Sequence, residues 1–254
     1  VVASHHHDIL FSCRPDRESA NIRAMDEQLL SGNIAKLLQR VRRGAQKSQY
    51  RNSDILVVAV SKSRSAQDIR AAHACGLIHF GENYLQEALQ KISELQDLPL
   101  VWHFIGPIQS NKTGPIAEYF DWVHSIDREK IAKRLSEQRP PYLPPLQVCI
   151  QVNISGEDSK SGVGLAELPQ LARAVLELPR LKLRGLMAIP SAAADTGQQR
   201  EHFSQMRNVL TQLRTLAPDI DTLSMGMSAD LEDAITEGAT IVRVGSAIFG
   251  PRNR

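Results

Sequence analysis

The sequence is short of several things at once. Of its 254 residues only 3 are cysteine and 5% are aromatic, and the formal net charge at pH 7 is only +2. Cys13, Cys75 and Cys149 are widely spaced, odd in number and form no CxxC pair, so neither a disulfide framework nor a cysteine-built zinc site is expected. A reducing, cytoplasmic setting fits that usage. Balanced charge and scarce stacking rings remove two compositional marks of a nucleic-acid binder. No apolar run approaches the roughly 20 residues that cross a bilayer, and the amino terminus lacks the basic, apolar, small-residue order of a secretory signal. No nucleic-acid and no membrane partner is therefore expected. What is present, 42% hydrophobic and 23% charged residues, is ordinary for a chain that buries a core.

Residues 1–24 carry no sustained period and include His5, His6 and His7. They are read as a disordered extension. Adjacent histidines do not share a helical face, and no second ligand cluster follows, so no metal site is assigned. From Met25 the pattern changes. Leu30, Ile34, Leu37, Leu38 and Val41 recur at helical spacing among Lys, Arg and Gln, which predicts one amphipathic helix at the start of a single domain, 25–254.

Eight short apolar or β-branched runs follow, at 55–61, 77–81, 101–105, 122–126, 146–153, 183–189, 222–225 and 240–244. Amphipathic stretches separate most of them, at 66–75, 84–95, 128–138, 165–178, 198–216 and 229–237. Ser65 with Asp68 reads as a capping box, while Gly76 and Gly238 read as helix stops. The Pro-rich 139–145 segment is read as a surface loop. Alternation of this kind builds a parallel sheet, and eight units allow it to close as an α/β (β/α)8 barrel with no exposed edge strand. An open doubly wound sheet is the alternative.

In such barrels chemistry gathers where strands end and the following loops begin. Lys62 follows the apolar run 55–60 and belongs near the barrel mouth. An amine attacks carbonyls only when neutral, and burial beside other cations lowers its pKa from about 10.4 toward that state. The plainer reading is a lysine that reaches water or pairs with Glu82. Ser224, Met227, Ser228, Gly245 and Ser246 fall in the loops after the last two strands. There glycines, hydroxyls and a helix start near Ala229 would suit a phosphate; the plainer reading is that Ser228 caps that helix. Arg243 sits in an apolar run and needs a partner, either a carboxylate such as Glu82 or a ligand ring nitrogen.

Six ordered segments, VAVSK (58–62), HFGENY (79–84), WHFIGPIQSNK (102–112), GLMAIP (185–190), LSMGMS (223–228) and VRVGSAIFG (242–250), resemble the signatures of the pyridoxal phosphate homeostasis protein family. The resemblance covers 29–250 approximately. It implies a barrel related to the amino-terminal domain of alanine racemase, of the fold-type III class. It also implies pyridoxal 5′-phosphate held as a Schiff base on Lys62. By the same resemblance Ser224, Ser228, Gly245 and Ser246 would hold the phosphate, Arg243 would face the pyridine nitrogen, and Asn83, His103 and Met227 would line the pocket. A guanidinium donates to that nitrogen without protonating it, which weakens the electron sink.

Related racemases place a second acid–base group, from a further domain, across the cofactor. With the chain ending at Arg254, efficient racemisation is not expected. The implied role is a carrier of the cofactor, not an enzyme, buffering it or supplying it to dependent apoenzymes; no closed interface patch is legible, so a monomer is expected, and the role of Lys160 is left open. Two other readings stand beside it: a weak amino-acid racemase or cofactor-free Schiff-base aldolase, and an interaction barrel whose basic Arg40, Arg42, Arg43 and Lys47 face binds a partner.

Overall fold

The computed structural model describes residues 17–50, 55–157, 161–190 and 196–251. A long helix α1 (Arg17–Lys47) leads into β1 (Leu56–Val60), α2 (Ala66–Ala74), β2 (His79–Glu82), α3 (Leu85–Glu94) and β3 (Val101–Phe104). A single 3-10 turn (Ser110–Lys112) and α4 (Thr113–Tyr119) precede β4 (Trp122–Ile126), α5 (Glu129–Gln138), β5 (Leu146–Gln151) and α6 (Leu168–Leu176). The chain continues through β6 (Leu181–Met187), α7 (Thr196–Leu213), β7 (Thr222–Ser224), α8 (Leu231–Thr236), β8 (Ile241–Val244) and α9 (Ser246–Phe249). The strands are ordered β1 to β8 in one closed barrel. Closure is made by parallel pairing of β1 with β8, from Leu56 opposite Ile241 to Ala59 opposite Val244.

All eight expected strands are present, and the open-sheet alternative falls. The capping box is formed: the Ser65 side chain accepts from Asp68 N–H while the Asp68 carboxylate accepts from Ser65 N–H. Gly76 and Gly238, just past α2 and α8, have φ of 93° and 102° and supply the left-handed turns that stop those helices. α4 was not anticipated: no amphipathic stretch was read between the runs 101–105 and 122–126, and Gly114 and Pro115 stand in its first turn. A proline in the first turn removes no intrahelical hydrogen bond, so the helix forms around it.

Two other expectations change. α1 begins at Arg17, inside the segment read as an extension; residues 1–16, with His5, His6 and His7, lie outside the described residues, as does Lys160. The 139–145 segment is not wholly a surface loop. Arg139 is buried, and its guanidinium donates to the carbonyls of Ala117, Phe120 and Pro144, closing three backbone acceptors at once.

The helices cover the barrel through apolar faces, such as Ile131, Ala132 and Leu135 of α5 and Leu168, Leu171, Ala172 and Val175 of α6. Each large side chain so buried contributes about 1.5–3 kcal/mol. α1 lays Ile34, Leu37 and Val41 into the same core and packs across α8 and α9. From α1, Arg40 donates to the Ser228 carbonyl at 2.9 Å and to Glu232 at 3.1 Å, so this basic residue anchors the loop after β7. Among the described residues no helix is long and apolar enough to cross a membrane.

Candidate functional site

A cavity of about 320 Å³ opens at the carboxyl-terminal mouth of the barrel, within the range of small-ligand sites. Lys62, Asn83, Met227, Ser228, Arg243, Gly245 and Ser246 all line it, together with Val60, Ile105 and Ile189. Seven of the nine residues expected at the site therefore meet at one place. His103 and Ser224 do not line the cavity. Both are completely buried in the barrel interior, where Ser224 Oγ receives a hydrogen bond from Arg243 at 2.7 Å. Ser224 thus supports the arginine and does not form part of the cavity wall.

Lys62 is half-buried at the end of β1. Its loop is held by a second lysine that the sequence reading did not single out. Lys91, buried on α3, donates to the Ser61 carbonyl at 2.7 Å, to Glu82 Oε1 at 2.8 Å and to Glu87 Oε1 at 2.5 Å. Ser61 Oγ donates to the same Glu82 oxygen at 2.7 Å, and Ser63 N–H donates to Glu87 at 2.6 Å. Ser63 carries a φ of 62°, a left-handed conformation for a residue with a side chain, and Glu87 pins it there. The Glu82 carboxyl is pushed above its ordinary range by burial, with Lys91 and Ser61 pulling the other way. Its Oε2 is buried without a partner. Glu82 is thus taken by Lys91 and does not pair with Arg243. The spacing Glu82, Glu87, Lys91, with the last two one helical turn apart, was the available signal.

The opposite wall is built by the last two strands. Gly226, with φ 93°, turns the chain after β7, and a Cβ there would meet the Ala234 methyl at 2.6 Å. Only glycine fits both constraints. Ser228 does not cap the helix that follows it: α8 begins at Leu231, and Asp230 takes the Met227 N–H. Instead Ser228 Oγ accepts from Ala247 N–H at 3.2 Å, tying this loop to the first turn of α9. Gly245 and Ser246 open α9, whose first amides have no intrahelical acceptors.

Arg243 is 4% exposed, yet no ion pair of its guanidinium exists among the described residues. It donates to Ser224 Oγ and, at 2.9 Å, to the Ala188 carbonyl. Burial lowers it to about 10, which still leaves it protonated at neutral pH. Cys149 is buried nearby and burial pushes it up to about 12, so it stays a thiol. Arg64 reaches over the Phe249 ring to the carbonyls of Gly250 and Pro251 and adds a further cation to the lining.

Donor chemistry dominates this cavity: an amine, two guanidiniums, hydroxyls and helix-start amides converge. An anion carrying a carbonyl group and a polar ring suits such a set.

Comparison with known proteins places the fold and the site in context. The family described as alanine racemase, N-terminal domain, matches residues 32–253. The pyridoxal phosphate homeostasis protein of Pseudomonas aeruginosa is 59% identical over 224 residues, 88% of this chain and 96% of that protein. The protein of the same name from Escherichia coli K12 is 51% identical over 227 residues, covering 88% and 97%. PipY of Synechococcus elongatus, solved with pyridoxal phosphate bound, superposes with a TM-score of 0.74 at 36% identity, over 87% of this chain and all of that one. With an alanine racemase-type barrel along its length and near-complete coverage of these relatives, the chain belongs to the pyridoxal phosphate homeostasis protein family.

Proposed function

We propose that this chain binds pyridoxal 5′-phosphate at the barrel mouth and serves its intracellular homeostasis, holding the cofactor on Lys62 and buffering or supplying it. The observation that carries the reading is the placement of a half-buried amine across one cavity from Arg243, Ser228, Gly245 and Ser246. When bound, the cofactor supplies an aldehyde that condenses with an amine, releasing water. Lys62 is the amine. Ser228 and the amides of Gly245 and Ser246 take the phosphate, Arg243 meets the ring, and Asn83 and Met227 fill the sides. Ser224 would act through Arg243, and His103 from the barrel interior behind them.

The same residues argue for holding over turnover. Among the described lining residues Lys62 is the one group with an ordinary proton-transfer role, and neither His, Tyr, Asp, Glu nor Cys is present. A guanidinium at the ring nitrogen keeps its protons, which disfavours strong carbanion chemistry. The chain works in the cytoplasm as a monomer and passes its cofactor to dependent apoenzymes. The two described cysteines, both free, suit the reducing compartment.

Borohydride reduction of the cofactor-soaked protein followed by peptide mass analysis tests the assignment. The label is expected on Lys62 and absent from Lys62→Ala; a label elsewhere, or none in the wild type, overturns it. Incubation with single L-amino acids and chiral chromatography tests the absence of catalysis, for which turnover well above background is the contrary result.

A further inference from the structure

The barrel interior holds a continuous line of polar groups that the binding role leaves unexplained. Arg243 on β8 donates to Ser224 Oγ on β7 at 2.7 Å. That oxygen lies 2.7 Å from His124 Nδ1 on β4. His124 Nε2 lies 2.9 Å from His103 Nδ1 on β3, and His103 Nε2 lies 2.9 Å from His79 Nδ1, the first residue of β2. Strands β4 and β7 are not neighbours in the barrel, so the serine–histidine link crosses its interior. Ser224, His103 and His124 are all 0% exposed. Among the described residues no three metal-ligating side chains converge, so the rings form a line and not a cluster.

The protons along this line are fixed by counting. Arginine carries only donors, so Ser224 Oγ must accept from Arg243. The hydroxyl then has one proton to place, and His124 Nδ1 is its partner. His124 accepts at Nδ1 and therefore carries its proton on Nε2, which donates to His103 Nδ1. His103 in turn carries Nε2–H, which donates to His79 Nδ1. Running the line the other way would strand the serine proton in a dry interior, at about 1–3 kcal/mol. One direction satisfies every group.

We propose that Ser224, His124, His103 and His79 form a single directional hydrogen-bonded relay that seats Arg243 at the cavity floor without a direct ion pair, the buried carboxylate of Asp230 acting on the guanidinium only from beyond ion-pair distance. A carboxylate in the place of Ser224 would hold the arginine equally well but cancel the field that an anionic ligand meets. A hydroxyl backed by neutral imidazoles holds it by dipoles alone, and successive bonds polarise one another. The groups facing the line agree with neutral rings. Arg243 faces His124, His124 and His79 face His103, Trp122 stacks on His103 at 5.5 Å, and Asp121 acts on His79 at the partly exposed end. Burial holds His124 down to about 3 and His103 well below its ordinary value.

His124, His103 and Ser224 are thus positioning residues for Arg243. The part of this inference that concerns a ligand rests on the pyridoxal phosphate reading; the direction of the relay does not. Long-range proton–nitrogen NMR of the ligand-free, histidine-labelled full chain at pH 7.5 tests the direction. His103 and His124 are expected with protonated Nε2 and bare Nδ1, and either ring found as the Nδ1–H form or as a cation overturns it.

The seating of Arg243 is tested with His124→Asn, whose side-chain oxygen lies near the place of Nδ1 and can accept from Ser224, against His124→Phe, which cannot. Separate, slowly rotating guanidinium signals of Arg243 are expected in the ligand-free wild type and in His124→Asn, and are expected to collapse in His124→Phe. Pyridoxal phosphate is expected to bind about tenfold more weakly to His124→Phe, the loss of one charge-assisted hydrogen bond, and within about twofold of wild type to His124→Asn. Equal arginine signals in both variants overturn the proposal. A wild type that binds no cofactor sinks the functional reading, and the ligand-free spectra still judge the relay.

Discussion

The two walls of the cavity solve the same problem, a buried cation, in opposite ways. On the β1–β2 side Lys91 is surrounded by two carboxylates and a carbonyl. On the β7–β8 side Arg243 has a hydroxyl and a carbonyl and no ion pair among the described residues. A buried charge removed from water requires compensation. Full compensation by carboxylate produces rigidity and cancels the charge; compensation by neutral dipoles keeps the charge available. The first wall therefore shapes the loop that presents Lys62, and the second keeps a cation on the cavity lining.

The largest expected effect comes from breaking the compensated wall. Lys91→Met leaves Glu82, fully buried, without its counter-ion, and removing one partner of a buried pair costs about 3–5 kcal/mol. Denaturant midpoints at pH 7 measure this. The gap is expected to narrow toward pH 4, because Glu82 already has its folded-state pKa raised and is protonated in acid at lower cost. Borohydride labelling of Lys62 is expected to fall in the same variant, since Ser61 and Ser63 lose their brace. An unchanged midpoint would make the ion pair a bystander.

A somewhat smaller effect is expected from acid on the other wall. His103 and His124 are kept neutral in the fold, so their folded pKa values lie below the unfolded value of about 6.5. Their contribution to stability is complete above that pH and is lost as pH falls below it, for His124 down to about 3, because the unfolded chain takes up protons first. For His124 alone the loss is about 2 kcal/mol by pH 5. Midpoints collected from pH 8 to pH 5 are expected to fall more steeply in the wild type than in His124→Asn. Parallel slopes would mean that this ring is not held neutral.

The smallest expected effect separates geometry from charge. Ser65→Ala removes the cap of α2, directly after the Lys62 loop, without touching a buried ion, and costs about 1 kcal/mol. Labelling of Lys62 is expected to stay at the wild-type level. A loss as large as in Lys91→Met would place the control of the loop in the helix start and not in the ion pair.

Much of this molecule was legible because its signals are local. Strand runs such as 55–61 and 146–153, the Ser65–Asp68 box and the stops at Gly76 and Gly238 depend on neighbours a few residues away, and a strand, a box or a stop appears at each in the fold. Lys62, Asn83, Met227, Ser228, Arg243, Gly245 and Ser246 were found from strand ends and the six motifs, and they share one cavity. α4 was not read because it is short, and Gly114 and Pro115 suit a helix only in its first turn. Ser224 was expected at the phosphate from the family resemblance, and its side chain lies in the barrel interior, because alternation along a strand decides which side chains meet the cavity.

By itself, then, the sequence determined the eight-unit barrel, the lysine at its mouth and the glycine- and serine-bearing loops, because periodicity and turn chemistry are short-range properties. Only the tertiary structure decided that Lys91 and not Arg243 takes Glu82, and that Ser224 and three histidines form one line across the barrel. His124 and Ser224 are 100 residues apart along the chain. No spacing rule links them, since their contact exists only once closure of the sheet brings opposite strands face to face.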